Sequence, residues 1–275
     1  MKIGIIGYGN MGSAIAQQLK NNYDILVFDK ERAKIDGLQG IITIGSITEL
    51  AGNAGIIILA VKPQDFEDIL SEIGDAGKNK LFISIAAGIS TSRIEEKLGP
   101  VRVIRVMPNI AARVGEGMSC LAQGKFASLD DLDLVENLFD YLGETLVIEE
   151  SMMNQATAVS GSGPAYVCNF LESGNLNPKN IPAEKKNVFL GDFQKAAQEI
   201  GFSAEDAKFL VNTTFNGTIS FLKRESLSPS ALRKQVTSKA GTTEAALEIL
   251  HRGGGLSEAV KRAAERAGEL SSTRT

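Results

Sequence analysis

Histidine, cysteine and tryptophan are scarce in this 275-residue chain, which has one histidine, two cysteines and no tryptophan. The single histidine, His251, precedes Arg-Gly-Gly-Gly, a pattern typical of a helix end, so we expect a surface or helix-capping residue there. A His-based triad or a His-rich metal site is therefore not expected. Cys120 and Cys168 lie in no CxxC motif or Cys/His cluster, and we expect both to be reduced and buried, with no metal bound.

Long apolar runs are also missing. The longest aliphatic run, residues 56–61, is far too short to cross a bilayer. The N-terminus leads into a glycine-rich turn by Gly7 and not into the apolar segment of a signal peptide. These features predict a soluble, cytoplasmic protein with no membrane partner.

The chain has no excess of positive charge. It contains 29 Lys and Arg residues against 33 Asp and Glu residues, a net charge of −4, which offers no basic surface to DNA or RNA. Nucleic acid is therefore not an expected partner. The composition, 43% hydrophobic and 23% charged, is that of a folded globular protein, and the length favours two domains or one large α/β unit.

The first half of the chain alternates β-branched runs with amphipathic stretches, a pattern that predicts parallel strands joined by crossover helices. Eight short strands are expected, at residues 2–6, 25–28, 41–44, 56–61, 81–85, 102–107, 118–122 and 145–148. Helical stretches between them include residues 11–20, 63–73, 90–98 and 130–142. Residues 1–149 are therefore predicted to form an α/β doubly wound sheet of the Rossmann type.

Helical periodicity replaces the strand pattern after about residue 150. Two apolar stripes are visible, one at Phe189, Phe193, Ala196, Ala197 and Ile200 and the other at Ala207, Leu210, Val211, Phe215 and Ile219. Ser203, with Asp206 three residues later, fits the start of the second helix. Residues 150–275 are predicted to form an all-α domain.

A GxGxxG motif follows the first strand and opens the first helix, with glycines at Gly7, Gly9 and Gly12. Such glycines permit a tight turn, close approach of a pyrophosphate, and close packing of helix on strand. A glycine turn without a ligand is the alternative, and the strand and helix around the motif argue against it. We expect these glycines, with Asn10 and Met11, to bind a dinucleotide.

The end of the second strand leaves the choice of cofactor open. Asp29 ends the strand, where an acid bonds an adenosine ribose and repels a 2′-phosphate, which favours NADH. Lys30 and Arg32 follow, however, and either could pair with the phosphate of NADPH or be a solvated surface charge. The sequence therefore predicts NADPH or NADH.

Other strand ends should lie at the same edge of the sheet, where open α/β sheets bind ligands. The small and polar residues there leave room for nicotinamide and ribose: Ala60, Val61, Lys62, Pro63, Ala87 and Gly88. Arg105, on the sixth strand, has two interpretations, a substrate carboxylate clamp or a structural ion pair. Its apolar neighbours favour the ion pair.

Two polar breaks interrupt the helical half. Residues 160–164, Ser-Gly-Ser-Gly-Pro, end one helix and start another. Residues 237–243, Thr-Ser-Lys-Ala-Gly-Thr-Thr, precede a helix with hydroxyls and free amides that suit a small carboxylate. Simple N-capping by Ser238 or Thr242 is the alternative.

Taken together, these segments resemble the pyrroline-5-carboxylate reductase family over nearly the whole chain. The matching motifs are GxGNMG at 7–12, AVKPQ at 60–64, AAG at 86–88, RVMPN with VGEGM at 105–118, SGSGPAYV at 160–167 and LRKQVTSKAGTTEAAL at 232–247. The resemblance implies a Rossmann domain, an all-α dimerisation domain, and homodimers often built into larger rings. It also implies reduction of the small-molecule substrate 1-pyrroline-5-carboxylate to L-proline by NADPH or NADH.

The same resemblance implies site residues. Ser238, Gly241 and Thr242 would bind the substrate carboxylate, and Thr243 would lie near the ring nitrogen as the catalytic group. Asn109 and the turn at Ser160 to Ser162 would complete the pocket wall, while the cofactor would contact Met11, Ala60, Lys62, Pro63, Ala87 and Gly88. The family's dimer suggests that the partner subunit supplies the 237–243 loop. Because a protonated imine already accepts hydride well, no catalytic histidine is needed.

Three departures from the family pattern are visible. Ile110-Ala111 stands where Thr-Pro is common, and Ala240-Gly241 replaces the usual Gly-Gly, which matters if residue 240 needs a positive φ. Between residues 174 and 182, two prolines and a glycine should end a helix. We interpret residues 174–192 as an inserted or replaced stretch.

Two other functions are consistent with a Rossmann domain followed by helices. A hydroxyacid dehydrogenase would need a lysine in an apolar interdomain helix, whereas Lys185 and Lys186 lie in a polar stretch. A non-catalytic nucleotide-binding module would bind cofactor without turnover.

Overall fold

The computed structural model describes residues 1–272 and contains one eight-stranded sheet in the order β3-β2-β1-β4-β5-β6-β7-β8. The strands are β1 Lys2–Ile6, β2 Asp24–Phe28, β3 Ile42–Thr43, β4 Ile56–Leu59, β5 Leu81–Ser84, β6 Arg102–Pro108, β7 Gly117–Gln123 and β8 Gly143–Val147. The order reverses beside β1, which pairs in parallel with both β2 and β4. This is the predicted doubly wound Rossmann-type sheet, and all eight expected strands are confirmed with small shifts at their ends.

The last two strands, β7 and β8, run in the direction opposite to β1–β6. β7 is antiparallel to β6, whereas β8 is again parallel to β7. Residues 109–116 are too few for the crossover that a parallel connection needs, so the chain returns in the opposite direction. The pattern of parallel strands therefore holds from β1 to β6 and breaks at β7.

Five helices cover the sheet: α1 Asn10–Leu19, α2 Ile47–Asn53, α3 Phe66–Ile73, α4 Thr91–Leu98 and α5 Leu129–Phe139. Serine side chains cap three of them, because Ser46, Ser90 and Ser128 each accept a hydrogen bond from the backbone N–H three residues on. The short helix α2 was not expected from the sequence. Pro63 opens a 3₁₀ turn that leads into α3.

The helical half contains α6 Met153–Ala156, α7 Gly163–Ser173, α8 Ala183–Glu199, α9 Ala204–Arg224, α10 Pro229–Val236, α11 Thr242–His251 and α12 Leu256–Ser272. A π-helical turn, Thr157–Gly161, joins α6 to α7. Both predicted apolar stripes lie in the core, which also includes residues of β6 and β7. The Ser203 hydroxyl accepts from the Asp206 N–H at the start of α9, as predicted. The all-α half is thus confirmed, while the division after residue 149 stays a prediction.

The proline-containing stretch after α7 is short. α7 ends at Ser173 and α8 begins at Ala183, after a turn in which Asn177 and Asn180 form an isolated β-bridge. The predicted helix break is therefore confirmed. Residues 183–192 belong to α8, and the interpretation of residues 174–192 as an inserted or replaced stretch stays a prediction.

Both cysteines are free and buried, as predicted. Burial raises the pKa of the Cys120 thiol and of the Cys168 thiol to about 12, so both are protonated at neutral pH. Within residues 1–272, no helix combines the length and hydropathy that crossing a membrane requires.

Candidate active site

The glycine-rich turn between β1 and α1 has the shape that a pyrophosphate needs. Gly7 has a φ of +99°, and its N–H donates to the Phe28 carbonyl at 2.8 Å. A Cβ at Gly12 would collide with the Gly7 carbonyl oxygen, whereas a Cβ at Gly9 would meet nothing within 4 Å. Gly9 precedes α1 with no side-chain cap, so the first amides of the helix face open space that fits an anion.

A groove of about 410 Å³ runs from this turn along the carboxyl ends of β1, β2 and β4. Predicted cofactor residues line it at Gly7, Gly9, Asp29, Lys30, Ala60, Val61 and Lys62. Asn10, Met11 and Gly12 begin α1 beside it, and Pro63 follows Lys62 in the 3₁₀ turn. Ala87 and Gly88 lie one strand further along, in the turn after β5, where Gly88 has a φ of +77°. The structure therefore brings these residues to one edge of the sheet.

Asp29, which follows β2, has a structural role as well as a place in the groove. It is buried, and its two carboxylate oxygens accept hydrogen bonds from the Tyr8 N–H at 2.7 Å and the Glu31 N–H at 2.8 Å. These bonds join the glycine-rich turn to the loop after β2. Asp29 still lines the groove, and its bond to a ribose stays a prediction.

Asn109 and Ser160 are in contact where the end of β6 meets the helical half. The Asn109 Oδ1 accepts from the N–H groups of Ala111 and Met118, and its Nδ2 lies 3.5 Å from the Ser160 Oγ. The Ser160 hydroxyl donates to the Met118 carbonyl at 3.3 Å. Both side chains are buried and connect the end of β6 to the π-helical turn.

Ser162 is the centre of a hydroxyl cluster. Its Oγ lies 3.0 Å from the Thr242 Oγ1 and accepts a hydrogen bond from the Thr243 Oγ1 at 3.1 Å. Ser162 and Thr243 are buried, at 0% and 5% exposure. The two polar breaks of the helical half are therefore in contact within one chain, which sequence spacing did not indicate. Supply of the 237–243 loop by a partner subunit stays a prediction.

The loop before α11 has a strained backbone. Ala240 has a φ of +56°, so the alanine in place of the usual glycine does occupy the left-handed region. Its N–H donates to the Glu244 Oε2 at 2.6 Å, and its carbonyl accepts from the Arg266 Nε at 3.0 Å. A Cβ on Gly241 would collide with the Ser238 hydroxyl.

The alternative interpretation of this loop, in which the side chain of Ser238 or Thr242 caps the N-terminus of α11, is wrong. Gly241 is the N-cap residue, and no side chain caps the helix. The Thr242 hydroxyl is used by Ser162. The first amides of α11 therefore remain available to a carboxylate.

Arg105 forms the structural ion pair that the sequence favoured. Its Nη1 lies 3.1 Å from the Glu150 Oε1, and its side chain is only 7% exposed. Burial lowers the pKa of Arg105, and the Glu150 carboxylate opposes that shift. Glu150 also accepts from the Thr91 N–H at 2.8 Å and the Thr91 hydroxyl at 2.6 Å. Glu150 was missed, and a buried arginine in need of a counter-charge was the only signal for it.

The single histidine lies away from these groups. His251 is the exposed last residue of α11, and its Nε2 is 3.2 Å from the Arg233 Nη1. The prediction of a surface residue at a helix end is confirmed.

A dinucleotide groove on a doubly wound sheet, next to a helical half that carries a hydroxyl cluster, defines a two-domain, nicotinamide-dependent oxidoreductase. The chain is 30% identical to pyrroline-5-carboxylate reductase of Aquifex aeolicus, over 98% of this chain and 97% of that protein. It is 34% identical to the enzyme of the same name from Methanosarcina acetivorans, over 98% of this chain and 97% of that one. The chain belongs to the pyrroline-5-carboxylate reductase family.

Family models and solved structures agree with this assignment. Residues 187–273 match the model described as pyrroline-5-carboxylate reductase dimerisation, and residues 2–88 match one described as NADP oxidoreductase coenzyme F420-dependent. A pyrroline-5-carboxylate reductase structure from Coxiella burnetii is 30% identical, covers 98% of this chain and 97% of its own, and has a TM-score of 0.64. The Plasmodium falciparum pyrroline carboxylate reductase with NADP bound is 28% identical over 100% and 98% of the two chains, with a TM-score of 0.63. The helical half therefore contains the family's dimerisation domain.

Proposed function

We propose that this protein reduces 1-pyrroline-5-carboxylate to L-proline with NADH or NADPH, the last step of proline biosynthesis. The observation that carries the proposal is the convergence of Ser162, Thr242 and Thr243 at the start of α11. Relatives that bear the reductase name span nearly the whole of this chain, including both halves of the site. The reaction needs a hydride donor and a site for a small anionic imine, and the chain has residues suited to each.

The cofactor site fits a dinucleotide because the groove has an open glycine turn and an uncapped helix start. The bound nicotinamide cofactor supplies the hydride. Gly7, Gly9 and Gly12 would hold the pyrophosphate through the turn and the first amides of α1. Residues 60–63 and 87–88 lie at the neighbouring strand ends, where they would contact the nicotinamide and its ribose.

The substrate site uses backbone amides and hydroxyls. The carboxylate would lie at the start of α11, where the amides of Thr242 and Thr243 and the helix dipole favour an anion. Ser238, Gly241 and Thr242 form that end of the site. The Thr243 hydroxyl would exchange its bond to Ser162 for one to the ring nitrogen and so hold the imine toward the hydride donor. Asn109 and Ser160 complete the wall.

The protein is proposed to act as a homodimer in the cytoplasm. A dimerisation domain at residues 187–273 supports self-association. Assembly of dimers into a ring, and supply of the 237–243 loop by the partner subunit, extend the proposal. Sedimentation of the purified protein measures the oligomer directly.

Parallel assays of NADH and NADPH consumption test the function. We expect both absorbance at 340 nm and 1-pyrroline-5-carboxylate to fall, with proline formed in a one-to-one ratio to oxidised cofactor. A folded protein that binds cofactor but never oxidises it with this substrate would contradict the proposal. Cofactor binding that is indifferent to proline would instead support the non-catalytic nucleotide-binding module.

Replacing Thr243 with alanine is expected to lower kcat by about 100-fold, because a positioned hydrogen bond to the reacting group is lost. Affinity for NADH and NADPH should remain within about twofold of the original, since in the proposed site this side chain contacts the substrate and Ser162 and not the cofactor. Stopped-flow turnover and fluorescence titration of the cofactor measure the two quantities.

Thr243→Ser is the matched control, because it keeps the hydroxyl that reaches Ser162. It should retain most of the activity. Equal losses of cofactor affinity and turnover in Thr243→Ala would show that the loop lies elsewhere.

A further inference from the structure

The cofactor groove carries more negative than positive side chains around the position after β2. Five carboxylates line it, at Asp29, Glu31, Asp65, Asp68 and Glu72, against three lysines, at Lys30, Lys34 and Lys62. A 2′-phosphate adds about two negative charges to this region. Positively charged side chains are therefore needed to hold it.

The two lysines after β2 are both occupied by carboxylates of the same groove. The Lys30 Nζ lies 2.9 Å from the Asp65 Oδ1. Lys30 belongs to the loop after β2 and Asp65 to the turn after β4, and both line the groove. The Lys34 Nζ lies 2.6 Å from the Glu31 Oε1 and 3.9 Å from the Asp29 Oδ1. Each ammonium group therefore lies beside a carboxylate whose negative charge reduces its attraction for a phosphate.

The remaining cation of this loop lies outside the groove. The Arg32 guanidinium lies near Gly45, which follows β3, and near the Glu49 carboxylate. A Cβ added to Gly45 would be 3.7 Å from the Arg32 Nη2 and 3.4 Å from the Glu49 Oε2. Arg32 is not among the residues that line the groove. Lys30 is the lysine of the β2 loop whose ion pair reaches the turn after β4, and Asp65 is the group that competes with a 2′-phosphate for it.

We propose that Asp65 is a specificity residue that makes this protein prefer NADH to NADPH, by pairing with Lys30 and by repelling the 2′-phosphate. The inference rests on the proposed function for the identity of the cofactor site and adds the choice between the two cofactors. Asp29 favours a ribose hydroxyl from the end of β2, and Asp65 adds a second carboxylate from the turn after β4. Asp65 acts through Lys30 and through its own charge, so one substitution changes both effects.

Asp65→Asn tests the proposal, because asparagine keeps the shape and suits the start of α3 as well as aspartate does. Fluorescence titration should give a Kd for NADPH about fivefold lower than in the original protein, the size expected when one exposed ion pair and one like charge are removed. The Kd for NADH should stay within about twofold, because that cofactor has no 2′-phosphate. Added salt should reduce the gain, since these side chains are partly exposed.

Two further variants complete the experiment. Asp75→Asn breaks an exposed pair with Lys78, 2.8 Å apart and outside the groove, and should leave both Kd values unchanged. Lys30→Ala combined with Asp65→Asn should abolish most of the gain. An unchanged ratio of the two Kd values in Asp65→Asn, or tighter binding of NADPH than NADH by the original protein, would overturn the proposal. Because binding is measured without substrate, a failed reductase assay leaves this result interpretable.

Discussion

Replacing Gly12 with alanine is expected to abolish cofactor binding, with a Kd raised at least about 100-fold, because the turn that holds the pyrophosphate must open. The new Cβ would collide with the Gly7 carbonyl oxygen and approach the Ala60 Cβ to 3.2 Å. Both partners belong to the cofactor edge of the sheet, and one is backbone that cannot rotate away. The free energy of unfolding should fall by about 2 kcal/mol through overpacking.

Gly9 provides the informative comparison. A Cβ there would meet nothing within 4 Å, and its φ of −78° suits alanine. We therefore expect Gly9→Ala to leave stability unchanged but to raise the Kd for NADH by about tenfold, because a methyl group enters the space that the pyrophosphate needs. Loss of binding without loss of stability would identify that space as a ligand site.

Gly52→Ala is the control, since Gly52 lies in α2 and a Cβ added there would meet nothing within 4 Å. Fluorescence titration should give a Kd near that of the original protein, and urea unfolding should give a free energy up to about 1 kcal/mol higher, because alanine favours a helix over glycine. If Gly12→Ala bound NADH normally, the close packing of α1 on the turn would not be needed for cofactor binding.

Replacing Glu150 with alanine is expected to lower the free energy of unfolding by about 3 kcal/mol, because a buried arginine loses its counter-charge. Arg105 is only 7% exposed, and its Nε already has no hydrogen-bond partner among residues 1–272. The substitution also leaves the Thr91 N–H and hydroxyl without their acceptor. Urea unfolding at a fixed protein concentration measures the loss, since self-association contributes to stability.

Two variants separate charge burial from general damage. Glu149→Ala removes an exposed neighbour and should change stability by less than about 0.5 kcal/mol. Arg105→Met added to Glu150→Ala removes the buried charge and should recover part of the loss. A Glu150→Ala protein as stable as the original would mean that water reaches Arg105 and that the ion pair matters little.

The same ion pair shows where sequence reasoning succeeds and where it stops. Arg105 stands among apolar residues of a strand, which was enough to predict a counter-charge. Its partner could not be identified, because Glu150 is 45 residues away and adjoins a second acid, Glu149. Pairing of this kind depends on which side chains the fold brings together.

The direction of β7 likewise could not be predicted from the sequence pattern. Its apolar pattern marks a strand, but strand patterns look the same in parallel and antiparallel pairs. The short connection from β6 decided the direction. Likewise the helix α2 has only seven residues, too few for a clear helical period.

Local periodicity, glycine and proline were enough to predict the class of fold, the cofactor edge and the departures at residues 174–182 and Ala240. Residue types at fixed spacing specify turns and helix starts wherever they occur. The fold was needed to show that Ser162 bonds Thr242 and Thr243, that Glu150 neutralises Arg105, and that Asp65 pairs with Lys30. Each is a contact between distant segments, and its existence depends on how helices and strands pack and not on the order of residues along the chain.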